Sequence, residues 1–335
     1  MDLETFFTTV YVLVDDWYKN EIAALKPKVG APGRMSDSEV LTVALVGQWR
    51  VGVPWQSERG LVRYIHAHGL GMFPHMLRSS AFNQRVRYLF GVLVRLQQVV
   101  ANWLGQADDA YECVDSLPLP AGSGGQYSRE KGHWLWTSRI GKGPHGWLWG
   151  DRWLVSVTAS GTLTGWVVGS ADINDRWLME GLLSARCGQP QLVNPPRDPR
   201  MPRSRLATPP VGFIGGWNAC GFPTKRPYLA DGNFNGQRWQ QHWHDYYAAD
   251  VITIPSDNVS RPFSLAWKSW LRRHRQPIET AFACLDTVFD VKHLRAHSRW
   301  GQLTRLAAKS AAYNLGRFIN HILNRPLGAL GTLIC

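Results

Sequence analysis

Residues 111–119, Tyr111-Glu112-Cys113-Val114-Asp115-Ser116-Leu117-Pro118-Leu119, decide how the chain is read. Before them, apolar residues recur at helical spacing. After them, apolar residues come in short runs bounded by turns. The nonapeptide reads as a strand entering a proline-marked turn, with Asp115 among apolar neighbours. A carboxylate there is costly to bury without a partner, so Asp115 needs a partner or a task.

Towards the N-terminus the chain reads as helices. Phe6, Phe7, Val10, Val14, Trp17 and Tyr18 share one helical face. Ser36-Asp37-Ser38-Glu39 forms a capping box that opens a helix through about Trp49. A third helix is expected from Ser57 to His68, with Gly69 as its stop. A fourth is expected from Ala81 to Leu104. The organisation this suggests is an all-helical N-terminal domain over 1–110 and a second domain over 111–335.

Towards the C-terminus, Trp147–Thr158 and Thr162–Gly169 are β-rich and joined by Ala159-Ser160-Gly161, the pattern of a hairpin. Asn174 or Asp175 caps a helix through about Ala185. Residues 188–227 are rich in Pro, Arg and Gly and read as a loop or insertion. Pro227–Ala230 is a short strand ending at Asp231, followed by a helix from about Asn235 to Ala248. Val251–Ile254 is a buried strand. Helices are expected over Pro277–Phe289 and Leu303–Leu323. The order strand, strand, strand, helix, strand, helix, strand, helix makes a mixed sheet with helices on both faces. This is the element order of the RNase H-like fold, an α/β (α+β) class.

Composition bounds the function. The 335 residues carry 37 Lys plus Arg against 25 Asp plus Glu, a net charge of +12. The excess is uneven: residues 1–110 hold 11 basic and 10 acidic side chains, and residues 111–335 hold 26 and 15. A basic surface of that size suggests a polyanion, most often nucleic acid. No stretch approaches the roughly 18 apolar residues of a membrane span, so no membrane partner is expected. The start, MDLETFF, lacks the basic stretch of a signal peptide. Five scattered cysteines without CxxC spacing argue against a disulfide framework and for a reducing cytoplasm.

Three acids occupy telling places on this skeleton. Asp115 lies in the first strand, Asp231 just past the fourth, and Glu279 on the helix after the fifth. Carboxylates gathered in one place repel unless cations neutralise them. Oxygen-only ligands suit Mg²⁺ or Mn²⁺. Two such ions about 4 Å apart activate a nucleophile and stabilise a leaving oxygen at phosphorus. Between Arg261 and Arg305 stand nine Lys or Arg and three acids, surrounding Glu279. Arg272, Arg273, Arg275, Lys292 and Arg295 in this run are the expected DNA-phosphate contacts. Proline fits a helix start, so the helix is expected to begin at Pro277, with Arg275 in the approach and free to reach a phosphate. The alternative is a salt bridge from Arg275 to Glu279.

These segments resemble those of bacterial insertion-sequence transposases of the DDE type, in the RNase H-like transposase/integrase superfamily. Asp115-Ser116-Leu117-Pro118-Leu119 looks like their first-aspartate segment. Ala171-Asp172-Ile173-Asn174-Asp175 with Leu178, Leu182 and Leu183 resembles the next-helix segment, which usually reads His-Asp where this chain has Asn174-Asp175. Tyr228-Leu229-Ala230-Asp231-Gly232-Asn233-Phe234 resembles the second-aspartate motif. Arg275, Ile278, Glu279, Thr280 and Phe282 resemble the third-acid signature. Arg272 stands at that signature's tyrosine position and Asp286 at its lysine position, Lys292 being the nearest downstream lysine.

The resemblance implies Asp115, Asp231 and Glu279 as catalytic and metal-holding residues with two Mg²⁺ ions, Mn²⁺ substituting. It implies cleavage at the element end and joining of the freed 3′-OH to target DNA. The implied partners are terminal inverted repeats, bound by the helical N-terminal domain, and target DNA, with a homodimer on DNA in the bacterial nucleoid. An inactive transposase-derived DNA-binding protein and a stand-alone RNase H-like nuclease are the alternatives. Gly141-Lys142-Gly143-Pro144-His145-Gly146 formally matches GxGxxG, but it precedes a strand and reads as a loop. His242 and His244 face apart on a helix and do not read as a metal pair. Of the 17 Trp, most belong to the core, and one or two are candidates to stack on an unpaired base.

Overall fold

The computed structural model describes residues 1–25, 33–121, 138–143, 146–187, 219–221, 224–254, 264–296 and 298–334. The chain forms two compact units. One gathers Met1–Leu104, Ala283–Ala296 and Trp300–Cys335; the other gathers Gly105–Phe282 and His297–Arg299. The first unit therefore takes in C-terminal segments as well as the N-terminal helices.

In the first unit, α1 (Leu3–Trp17) is capped by Asp2, whose carboxylate accepts the Thr5 N–H, and it buries Phe6, Phe7, Val10, Val14 and Trp17. Both halves of the capping box at α2 (Asp37–Val46) are present, with Ser36 N–H to Glu39 at 2.6 Å and Glu39 N–H to Ser36 at 3.2 Å. Helix α3 (Glu58–His68) starts at Ser57 and stops at Gly69 as expected. The single helix expected over 81–104 is two: α4 (Ser79–Tyr88) and α5 (Phe90–Trp103). At the break the Leu89 N–H is shared between the Arg85 and Val86 carbonyls. Gly91 follows two residues on, and the apolar spacing runs straight through the break. Trp49 sits at 4.9 Å from Phe6 and 4.8 Å from Phe289, and Trp103 at 5.1 Å from Phe318. Most of α10 (Arg299–Ile322) is buried, including Leu303, Leu306, Ala307, Ala311, Leu315 and Ile319.

The second unit is built on a sheet of seven strands among the described residues. They are β1 (Glu112–Pro120), β2 (Arg139–Gly143), β3 (Gly146–Thr158), β4 (Leu163–Ser170), β5 (Ala219–Gly221), β6 (Tyr228–Ala230) and β7 (Val251–Thr253). The order is β5-β4-β3-β1-β6-β7, with β2 paired to β3. Strands β1, β6 and β7 run parallel, and β3 lies antiparallel to β1 and β4. A hairpin feeding parallel strands through helical crossovers is the expected mixed sheet of the RNase H-like class.

Two strands differ from expectation. Gly141–Gly143, read as loop, belongs to β2, because β3 extends to Gly146 and supplies the backbone partners. A Cβ on Gly141 would meet the Ala171 carbonyl oxygen at 1.8 Å, so only glycine fits there. Part of the expected insertion at 188–227, Ala219–Gly221, pairs with β4 at the sheet edge; residues 188–218 lie outside the described residues.

Helices α6 (Asp175–Arg186) and α7 (Gln237–Tyr247) cover one face of the sheet. Their Leu178, Leu182, Trp239 and Trp243 form a cluster with Val114, Leu154, Val167, Tyr228 and Val251. Glu180 of α6 binds them to α7, accepting Trp243 Nε1–H at 3.0 Å and Tyr247 O–H at 2.6 Å, with His242 Nε2 at 3.1 Å. His244, facing away, meets Asp250 instead. At the root of β1, buried Glu112 accepts bonds from Arg186, Arg226, Ser156 and Thr164. Burial works against its charge, but Arg186 and these donors keep its carboxyl below the ordinary value.

Since Val114 faces this cluster, its neighbours Cys113 and Asp115 face the other side of the sheet. There α8 (Leu265–His274), which sequence reasoning did not foresee, leads through Arg275 directly into α9 (Gln276–Thr287). The Cys113 thiol donates to the His274 carbonyl at 3.1 Å, and burial pushes that thiol up to about 12, so it is no nucleophile at neutral pH. Among the described residues no helix is long and apolar enough to cross a membrane.

Candidate active site

Strand register brings two of the three expected acids together. Glu112 pairs with Tyr228 and Cys113 with Leu229 in the parallel β1–β6 ladder. Carrying that register forward sets Asp115 level with Asp231, which lies just past the end of β6. Asp231 caps a 3₁₀ turn (Gly232–Phe234), with its oxygens accepting Asn233 N–H at 2.9 Å and Asn233 Nδ2–H at 3.0 Å. Asp115 Oδ1 accepts the Ser116 N–H at 2.7 Å, and its Oδ2 accepts Arg275 Nη2–H at 3.1 Å.

The Asp115 carboxyl lies within reach of the Asp231 charge. Burial first, then the Asp231 charge, push the Asp115 carboxyl up to about 6; Arg275 pulls the other way. Asp231 is also raised, chiefly by burial, against the Asn233 N–H bond and Arg275. Asp175, the first residue of α6, adds its repulsion to both. Sequence reasoning had Asp175 only as a helix cap and as part of a resemblance. The hydroxyl beside Asp115, on Ser116, was the signal that could have placed it, because that hydroxyl donates to Asp175.

Glu279 lies exposed on the first turn of α9, one helical turn beyond Arg275. Among the described residues no hydrogen bond or ion pair ties it to Asp115 or Asp231. Nor do three His, Cys, Asp or Glu side chains there stand close enough to share one ion.

Arg275 was expected either free for phosphate or bridged to Glu279. It does neither: it is 7% exposed and paired with Asp115. The reason is the near-continuity of α8 and α9, which makes Arg275 a helical residue turned to the sheet. Arg272 and Arg273 are exposed in the last turn of α8. On the same helix Trp267, Trp270 and His274 form a stack, with ring centroids at 4.9 Å and 4.1 Å. In the other unit Lys292 pairs with Asp286 at 2.5 Å, and Arg295 donates to the Gln56 carbonyl at 3.0 Å.

Two neighbouring carboxylates with raised proton affinity form an oxygen donor set that favours a cation. Mg²⁺ commonly takes one or two protein carboxylates and completes its shell from water and phosphate. The pair fits such an ion. Comparison with family models, curated proteins and solved structures returns no match.

Proposed function

We propose that the chain is a DDE transposase of a bacterial insertion sequence, cytoplasmic and acting on nucleoid DNA. It cleaves element ends and joins the 3′-OH to target DNA. The observation that carries this reading is the level placement of Asp115 on β1 and Asp231 just past the parallel neighbour β6, with raised proton affinities, beneath a basic helix. Asp115 and Asp231 would hold Mg²⁺, or Mn²⁺ in its place, and Glu279 would complete the set from α9. When bound, the metal supplies Lewis acidity at the scissile phosphate. Arg275 fixes the orientation of Asp115. Arg272 and Arg273 bind phosphates, and the Trp267–Trp270 stack offers an aromatic surface to an unpaired base. Two ends are held by a homodimer on DNA.

A second reading, a DNA-binding derivative without catalysis, is favoured by the Lys292–Asp286 pair, which ties up the lysine nearest the family position. A cleavage and strand-transfer assay on element-end DNA with Mg²⁺ separates the two. The proposal expects cutting by the wild type, and loss of cutting with retained end binding in Asp115→Ala, Asp231→Ala and Glu279→Ala. A variant that still cuts at the wild-type rate removes its residue from the site. Specific end binding with no cutting by the wild type establishes the second reading.

A further inference from the structure

We infer that Asp175 is a positioning residue that, through Ser116 and Arg152, fixes Asp115 for a divalent cation; the inference rests on the proposed function. Asp175 follows the Asn174 cap at the start of α6 and is 4% exposed. An acid that merely favours a helix dipole sits in the first turn facing water. This one is turned back onto the sheet. Its Oδ1 accepts Ser116 Oγ–H at 2.6 Å, and Arg152 Nη1 lies at 2.9 Å and 3.0 Å from its two oxygens. Held by a guanidinium and bonded to the Ser116 hydroxyl, Asp175 acts on Asp115 through its neighbour Ser116.

Ser116 is gripped at both ends. Its hydroxyl goes to Asp175, and its N–H goes to Asp115 Oδ1 at 2.7 Å. Arg152 is anchored in turn. It lies opposite Pro118 in the β1–β3 ladder, and its Nη2 donates to the Lys142 carbonyl of β2 at 2.9 Å. β2, β3 and α6 are thus linked in one chain of contacts, from Lys142 through Arg152 and Asp175, that ends on Ser116 beside Asp115. Asp175 also balances the Arg152 guanidinium, while Arg275 opposes the cation attraction of Asp115 and Asp231. Removing the Asp175 charge would leave a second guanidinium working against the incoming ion. Outer partners of this kind typically change metal affinity ten- to a hundredfold.

The test uses the full chain without DNA and Mn²⁺ alone as probe, with free Mn²⁺ counted by electron paramagnetic resonance and melting followed for every variant. Wild type should bind, and Asp115→Asn should lose binding. Asp175→Asn should weaken binding about tenfold or more, and Ser116→Ala, which alters no charge, about threefold, each with a cooperative melt. Should Asp175→Asn fail to fold, Ser116→Ala decides. Binding within about twofold of wild type in whichever of the two variants folds overturns the positioning role. No Mn²⁺ binding by the wild type itself instead overturns the proposed function, and this inference with it.

Discussion

Replacing Asp115 by asparagine should stabilise the protein at neutral pH and, under the proposed function, abolish cleavage. Burial and the Asp231 charge lift the Asp115 carboxyl from 3.8 to about 6. The folded state thus holds this proton more tightly than the unfolded state does. The resulting penalty on folding is complete above about pH 6, shrinks as pH falls towards 4, and disappears below that. At about 1.36 kcal/mol per pH unit, it amounts to about 3 kcal/mol. The attraction of Arg275 is already contained in that figure, since it acts to lower the same value. Asparagine keeps the shape and stays neutral. Urea unfolding without divalent cations should show Asp115→Asn more stable than wild type by about 2–3 kcal/mol near pH 8, and by little near pH 4. A variant no more stable than wild type near pH 8, or equally stabilised at both pH values, would refute the reasoning.

Three further outcomes follow from buried groups. Lys309 is fully enclosed and donates to the Phe289 carbonyl; burial, with Arg50 adding to it, pushes its amine down to about 7. The unfolded chain keeps that proton to about 10.5, so stability should rise with pH between about 7 and 10.5, and Lys309→Met should flatten the rise in urea titrations. Glu112→Gln breaks a buried ion pair with Arg186 and should cost about 3–5 kcal/mol in chemical denaturation; a loss below about 1 kcal/mol would show the network to be dispensable. Gly141→Ala places a methyl against the Ala171 carbonyl and should cost about 2 kcal/mol or more, or detach β2, seen as faster amide exchange over 139–143.

The sequence made legible those features that depend on local chemistry. The Ser36–Glu39 box, the Ser57 and Gly69 boundaries and the β3–β4 hairpin all carry their signals within a few residues. Asp115 and Asp231 were found because each sits at a strand position that alternation and turn residues define. Features set by a distant backbone were not legible. β2 is a strand only because β3 overruns its hairpin, and β5 because β4 offers a free edge. Helix α8 was hidden because its exposed Leu265, Ala266, Ser269, Trp270, Arg272 and Arg273 and half-buried Trp267 and Lys268 leave few buried positions to give periodicity; only Leu271 is fully buried. The burial of Arg275 depends on α8 reaching α9, so missing the helix meant missing its partner. Asp175 was invisible as a neighbour of Asp115 because the two are 60 residues apart and are joined through the Ser116 hydroxyl.

The helical unit is assembled from segments far apart in the chain, and this bears on its birth. Leu104 and Trp300 are separated by 196 positions, all of which must be translated before α10 can reach the helices it packs with. At roughly 5–20 residues per second, that is a wait of about 10–40 s. Through it, α2, whose residues are nearly all buried in the finished protein, has no completed core to enter. The sheet unit needs no such late arrival beyond its short 297–299 segment and has most of its strands by Thr253. The part made first is therefore the part finished last, and the nascent N-terminal helices are where a chaperone would find its apolar handhold.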